Sequence, residues 1–475
     1  MKCRQPRHLL SARRLLSTSA GGAGGGSIVI AGGGVVGSSV AYFVARALRS
    51  RGQTLASPPP VGRSSEWTVT VVERDPTYRF ASSTLSASSI RHQFSTPENI
   101  LIGQYGTEFL RNAGKLLSIS DEDEARLSGR LQEKPQQPQH PARCANEEAA
   151  AAADGGGTGV DVQFRENGYL FLASPQGRPV LESNHQLQRD LGSDIRFLGS
   201  PSEIKAQFPY LHTDDLSAGC FGASGEGWFD PATLLHGFKR KAAALGVNFV
   251  HGEVVGTELE ADGPRQRVSG VQVTTADGVA HKLSCSHLVN AMGPQAARLS
   301  QMMGLTLPVV PRKRCVFVLR CRDEEVNQAK MPLVIDPSGV YWRPEGCGFI
   351  AGVSPLVDPD AHGDFEVDHD LFEEVIWPVL AHRLPAFEAV KVVGHWAGHY
   401  DYNTFDQNAI LGTHPSVGNY YHANGFSGHG LQQSPAVGRA VAELLLEGAY
   451  KTLDLSMFHF ERVLENRPII ELNVV

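Results

Sequence analysis

The chain is short of cysteine, of early acidic residues and of long apolar runs, and each shortage excludes something. Seven cysteines in 475 residues lie scattered, with no CxxC pair. That is no disulfide framework; the low, odd count fits small buried thiols in a reducing compartment, and no metal is expected. A net charge of -7 with no basic stripe beyond the N-terminus argues against nucleic acid as a partner. No stretch of about 18 apolar residues runs without glycine breaks, so no transmembrane span is expected. No acidic residue precedes Glu66. The first 26 residues instead carry Lys2, Arg4, Arg7, Arg13 and Arg14, with Leu9, Leu10, Leu15 and Leu16 able to share the opposite helix face. This reads as a mitochondrial transit peptide, cut near Arg14–Ser17, the alternative being a disordered basic tail.

Glycine is abundant, at 50 residues, and its placement is informative. The apolar run SIVIA (27–31) is followed at once by Gly32, Gly33, Gly34 and Gly37, then by a helical pattern with Val40, Val44 and Leu48. A second apolar run, WTVTVVE, ends at Glu73. Strand, glycine turn, helix, strand and acid together make a dinucleotide site. Gly32 would make the tight turn, Gly34 would let a pyrophosphate approach, and Gly37 would let helix and strand pack closely. The helix N-terminus offers N–H groups to phosphate, and Glu73 would accept from ribose hydroxyls. Glu73 lies 36 residues after Gly37 rather than the usual gap of about 20; a Pro/Ser-rich loop at 50–66 accounts for the excess.

Farther on, 119–160 is low in complexity and reads as a disordered insertion. In WFDPATLLHGFKRKAAALGVNFV, Asp230 caps a helix, Pro231 opens it and Gly246 ends it. LVNAMGPQAARL (288–299) is another strand–turn–helix unit. Residues 309–353 read as antiparallel strands, a substrate-domain pattern. In GFSGHGLQQSPAVGR, a glycine loop leads to a helix that Ser434 caps, Pro435 opens and Gly448 ends. The start of that helix would favour negative charge on a ligand bound there. His429 could equally be a structural histidine.

These segments, with VVERD, ASSTLSASSIR and YWRPEGCG, resemble the D-amino-acid/sarcosine oxidase (DAO) flavoprotein family over roughly residues 27–465. The resemblance implies an α/β fold: a Rossmann-type FAD-binding domain with an inserted antiparallel-sheet substrate domain. The FAD-binding domain would comprise 27–118, 225–308 and 396–465, and the substrate domain 161–224 and 309–395. The cofactor would be FAD. Gly32, Gly34, Gly37 and Glu73 would hold its ADP half, Ser82 and Ser83 its pyrophosphate and ribityl chain. Val254 would meet the adenine, Gly293 would shape a turn, and Gly425, Ser427, Gly428, His429 and Gly430 would run along the flavin ring. His399 falls where sarcosine oxidases bond flavin covalently, although the register could shift this to Tyr400.

The departures bear on activity. Ile350 stands where oxidases of the family place an oxygen-activating lysine, and Leu431 and Gln432 stand where sarcosine oxidases hold the substrate carboxylate with lysine. A dehydrogenase is therefore expected over an oxidase, with hydride removed from the carbon beside a small amine. Arg91 and Arg343 are candidates for a substrate carboxylate because guanidinium gives a bidentate fork; a structural ion pair is the alternative for each. Tyr341 and Trp342 would wall the site or belong to strand core. The resemblance further implies a mitochondrial protein, peripheral on the matrix side of the inner membrane, that acts in assembly of respiratory complex I, with assembly intermediates as partners; an active matrix dehydrogenase and an assembly factor whose FAD is structural remain the two readings.

Overall fold

The computed structural model describes residues 25–56, 66–128 and 159–472. The basic segment before residue 25, most of the Pro/Ser-rich loop and residues 129–158 of the expected insertion lie outside the described residues.

Two eight-stranded sheets organise the described chain. In the first, Ser27–Ala31 is central: it pairs in parallel with Thr68–Glu73 on one side and with His287–Asn290 on the other. The next strands outward, Asn248–Asp262 and Val417–Asn424, are also parallel to their inner neighbours. Such strands are covered on both faces, which is why SIVIA and TVTVV read as continuous apolar runs. Helix Val35–Ser50 buries Val40, Val44 and Leu48 as the pattern required. It packs against Pro231–Ala244 and against Gly430–Glu447.

The second sheet runs, strand by strand, 391–403, 309–320, 348–352, 341–345, 333–335, 169–173, 218–222 and 195–198. All its pairings are antiparallel except that between Leu333–Ile335 and Tyr169–Ala173. Its core includes Phe317, Trp342 and Phe349. The mixed α/β fold with an antiparallel substrate sheet is as expected.

Several local readings change. A boundary at residue 396 would cut Lys391–Asn403, yet that strand pairs with Val309–Arg320 through both halves and belongs whole to the second sheet. The expected disordered insertion begins instead as a helix, Asp121–Ser128. Its acidic first turn suits a helix N-terminus, and Glu124 pairs with Arg240 of helix Pro231–Ala244. Cys220, Cys285, Cys315 and Cys321 are buried free thiols, whereas Cys347 is disulfide-bonded. Trp342 is core, its Nε1 donating to Met331 Sδ at 3.3 Å.

The last long helix also starts earlier than Ser434. It spans Gly430–Glu447, with Pro435 inside. Proline there leaves the carbonyl four residues back, that of Leu431, without its helical N–H donor. The Ser434 hydroxyl supplies the missing donor, reaching Leu431 O at 2.9 Å in a fully buried setting. Ser434 thus repairs the helix and does not cap it. Ser434→Ala should cost about 1–3 kcal/mol, the usual penalty for a buried acceptor left unpaired. Urea unfolding of the two proteins checks this; equal midpoints would contradict it.

Candidate functional site

A cleft of about 530 Å³ lies between the two sheets, within the size range of ligand pockets. At one end the walls are Glu73, Val254, Glu253 and Arg298; at the other, Tyr341, Tyr400, Arg314, Val316 and Leu431. Gly32, Gly34, Ser82, Ser83, Gly293, His399, Gly428 and Gly430 also line it. Most of the anticipated cofactor residues therefore meet in one space.

The glycine turn is built by close approach. Gly32 has φ +95°, and a Cβ there would lie 2.3 Å from Ala291 O. A Cβ on Gly37 would lie 1.9 Å from Gly32 O. Gly37 does not line the cleft; its role is helix-to-strand packing, as read from the sequence. Gly34 differs: its φ of -61° suits any residue, and an added Cβ would meet only Ser83 Oγ, at 3.5 Å. The space above Gly34 is thus room for a ligand. It sits at the start of helix Val35–Ser50, where first-turn N–H groups lack helical acceptors. Ser83 Oγ reaches the Val35 N–H only at 3.4 Å.

Glu73 is fixed by two backbone donors, Gly33 N–H at 2.8 Å and Asp75 N–H at 2.9 Å. Each carboxylate oxygen has further lone-pair capacity for a hydroxyl. Arg298 and Glu253 form an ion pair at 2.5 Å beside it. Gly293 adopts φ +53° with open space around its Cβ position; the left-handed conformation accounts for glycine there. A nucleotide's diphosphate and ribose fit this end of the cleft.

The glycine loop before the last long helix divides its residues between two tasks. Gly428 and Gly430 face the cleft. Gly425 and Ser427 do not line it; both have positive φ, and Ser427 Oγ accepts the Asn403 N–H at 2.9 Å. They hold the loop's shape. His429 is absent from the lining as well. Arg91 Nη2 lies 3.1 Å from its Nε2, and burial together with that guanidinium lowers its pKa to about 3. His429 is neutral and accepts from Arg91.

The two carboxylate candidates are elsewhere too. Arg91 is buried among Phe94, Tyr169 and Phe171, its guanidinium 4.6–5.7 Å from the ring centroids. Arg343 donates to Ala87 O at 3.0 and 2.8 Å, to Pro344 O at 2.9 Å and to Glu345. It pins the loop that carries Ala87 and takes the structural alternative. Neither arginine lines the cleft, which Tyr341 does. Ile350 is buried against Val316, Val318, Ala87 and Trp396, behind the lining and not on it. Gln432 accepts the Arg91 N–H at 3.0 Å through Oε1.

His399 lines the cleft with its ring stacked on Phe365 at 4.1 Å and its Nε2 2.6 Å from Asp364 O. That contact makes Nε2 the protonated nitrogen. Tyr400 lies beneath Arg314, whose guanidinium is 5.0 Å from the ring centroid. Arg314, Phe365 and Asp401 were not anticipated as polar or aromatic walls, and Tyr400 was named only as the alternative to His399. The signal for Arg314 was present: three consecutive basic residues, 312–314, interrupt an otherwise apolar strand.

Residues 27–444 match the DAO family, described as FAD dependent oxidoreductase. A protein of Xenopus laevis named FAD-dependent oxidoreductase domain-containing protein 1 is 40% identical over 93% of this chain and 83% of its own length. The Rattus norvegicus protein named mitochondrial dimethylglycine dehydrogenase is 27% identical over 61% of this chain and 34% of its own. Among solved structures, L-proline dehydrogenase from P. horikoshii superposes with a TM-score of 0.70 at 22% identity, covering 94% of this chain and all of that one. Glycine oxidase from Geobacillus kaustophilus superposes with a TM-score of 0.66 at 20% identity, covering 92% and 98%.

Two outcomes follow from the cleft. Gly34→Val should fold as the parent does and lose at least about tenfold in FAD affinity, since its side chain enters ligand space and strikes no backbone. Circular dichroism and FAD titration of the apoprotein check this; undiminished affinity would contradict it. Asp401 lines the cleft and is buried, with Oδ2 accepting the Phe426 N–H at 3.1 Å. Burial pushes its pKa up to about 7 against the pull of the loop N–H groups. From the ordinary carboxylate range up to pH 7, the folded chain holds a proton that the unfolded chain has lost. Stability from this group therefore falls as pH rises through that window. Asp401→Asn should melt level with the parent near pH 4 and above it at pH 8, by about 1 °C for each kcal/mol recovered in a chain of this size. A variant melting lower at both values would contradict the assignment.

Proposed function

The chain belongs to the DAO family of FAD-dependent oxidoreductases, and from that premise we propose that it is a dehydrogenase of a small secondary amine or N-methyl amino acid, passing electrons to a carrier and not to oxygen. FAD supplies the hydride acceptor when bound. The chain's own residues position the substrate. Tyr341 and Tyr400 wall the far end of the cleft, and Val316, Leu431 and Phe426 make it apolar. Such walls strengthen any charge interaction made inside, because water is displaced.

The carrying observation is the charge at that end. Among the described residues lining the cleft there is no lysine, and Arg314 is already paired with Asp358. Oxygen reduction develops negative charge, and a positioned donor is worth roughly 100- to 1,000-fold in rate. His429 does not supply a cation, because burial, with Arg91 beside it, keeps it neutral. The protein reduced with dithionite should therefore reoxidise slowly in air-saturated buffer, and anaerobic mixing with secondary amino acids should bleach the flavin. Fast reoxidation with stoichiometric peroxide would overturn the dehydrogenase reading.

We also propose that the protein works in mitochondria, peripherally on the matrix side of the inner membrane, in the assembly of respiratory complex I. The acid-free basic segment before residue 27 supports import. No described helix is long and apolar enough to cross a membrane, in keeping with peripheral attachment. The complex I role rests on the resemblance. Residues 1–26 fused to a reporter should direct it to mitochondria, and loss of the protein should lower assembled complex I on native gels. A cytosolic reporter would contradict the location, and normal complex I in a knockout would contradict the role.

A further inference from the structure

The strand Val309–Arg320 carries Arg312, Lys313 and Arg314 in succession, and all three reach one segment. Arg312 pairs with Asp360 at 3.3 Å, Lys313 with Asp364 at 2.5 Å, and Arg314 with Asp358 at 2.8 Å. The segment 358–366 is further held by Ala361 N–H on Pro311 O at 2.8 Å and by the Phe365–His399 stack. Gly363 and Phe365 form part of the cleft wall. The segment is thus a strap at the cleft, fastened largely by charge. Just before it, Leu356 and Val357 stand almost entirely in solvent, so no apolar packing anchors that side.

The Arg314–Asp358 pair has the geometry of ligand recognition. Nη1 donates to Oδ1 at 2.8 Å and Nη2 to Oδ2 at 2.9 Å, the two-pronged fork that guanidinium offers any carboxylate. Arg314 also lines the cleft, with its side chain only 10% exposed. Its Nε–H is buried and has no hydrogen-bond partner among the described residues. Asp358 therefore satisfies one edge of the guanidinium and leaves the other edge, Nε with Nη2, short of an acceptor. A buried donor without a partner carries an energetic cost that a second carboxylate could remove. Nearby, Tyr341 and Tyr400 line the same space and are close enough for Arg314 to act on both electrostatically.

We propose that Arg314 is the anion anchor of the cleft and that Asp358, on the neighbouring edge of its guanidinium, competes with a substrate carboxylate for its charge. An entering carboxylate takes the Nε–Nη2 edge beside Asp358; the two anions then share Nη2 and one positive charge, and their repulsion weakens the hold on Asp358 and loosens the strap 358–366. This deepens the reading of the cleft as the site for a carboxylate-bearing amine and rests on it. It also moves the anchor from Arg91 and Arg343, which are occupied elsewhere, to a residue that reaches the cleft.

The test uses the full-length flavoprotein, with acetate as probe and acetamide as the uncharged control. Binding is read from the flavin absorption spectrum. Asp358→Asn should bind acetate about tenfold more tightly than the parent, and Arg314→Gln should lose acetate binding whether or not Asp358 is present. Arg314→Lys, which keeps the charge and loses the fork, should fall between. Acetamide affinity should be the same in all. Hydrogen exchange over 353–366 in the unaltered protein should quicken with acetate and not with acetamide, which keeps the inference testable if the Arg314 variants fail to fold. Acetate affinity indifferent to Asp358 or Arg314, or unchanged exchange in that segment, would overturn it. A colourless chain that takes up no FAD refutes the reading of the cleft; a yellow one with any of those results refutes this inference alone.

Discussion

The structure depends on backbone meeting backbone at Gly32 and Gly37. A carbonyl lies 1.9 Å from where a Gly37 Cβ would be, so the first strand and first helix can pack only without that side chain. The same economy recurs where Val35–Ser50 crosses Gly430–Glu447. A Cβ on Gly438 would lie 2.1 Å from Ser39 Oγ, and Ser39 Oγ donates to Ser434 O at 2.8 Å. The second of these two close approaches joins segments some 400 residues apart in the chain. They place the start of one helix at the diphosphate end of the cleft and the start of the other at the ring end.

Charge organises the second half of the site differently. Buried arginines act as fasteners: Arg383 holds Asp215 and Asp336, Arg462 holds Asp406, and Arg343 holds the Ala87 loop. Each satisfies several acceptors at once, which is the condition under which buried charge is tolerated. Arg314 departs from this pattern because one of its donors is left over and it borders the cleft. The difference between a fastener and an anchor thus lies in which hydrogen bonds remain unmade, not in residue type.

That distinction explains which site residues were legible beforehand. Glycines whose positions are dictated by turns and close approaches carry their function in their spacing, so Gly32, Gly34 and Gly37 were readable, and Glu73 with them. Arginines carry no such spacing. Arg91, Arg343 and Arg314 present the same guanidinium, and only their neighbours separate them: aromatic rings and His429 for the first, carbonyls for the second, the cleft and Asp358 for the third. Ser434 and Pro435 misled for a related reason. Together they imitate a helix start, yet the helix had begun at Gly430, and the serine hydroxyl replaces the donor that the proline lacks.

The sequence by itself determined the alternation of apolar strand, glycine turn and helix, the nucleotide end of the site and the antiparallel character of residues 309–353. These are local properties, set by side-chain periodicity and by the conformations that only glycine enters. Tertiary structure alone decided that Lys391–Asn403 belongs to the second sheet, that His429 is held neutral beneath Arg91, and that Arg314 and not Arg91 or Arg343 borders the cleft. Those outcomes depend on contacts between residues far apart in the chain, on burial that shifts a proton and on hydrogen bonds that exhaust or spare a donor. None of these leaves a mark in local spacing.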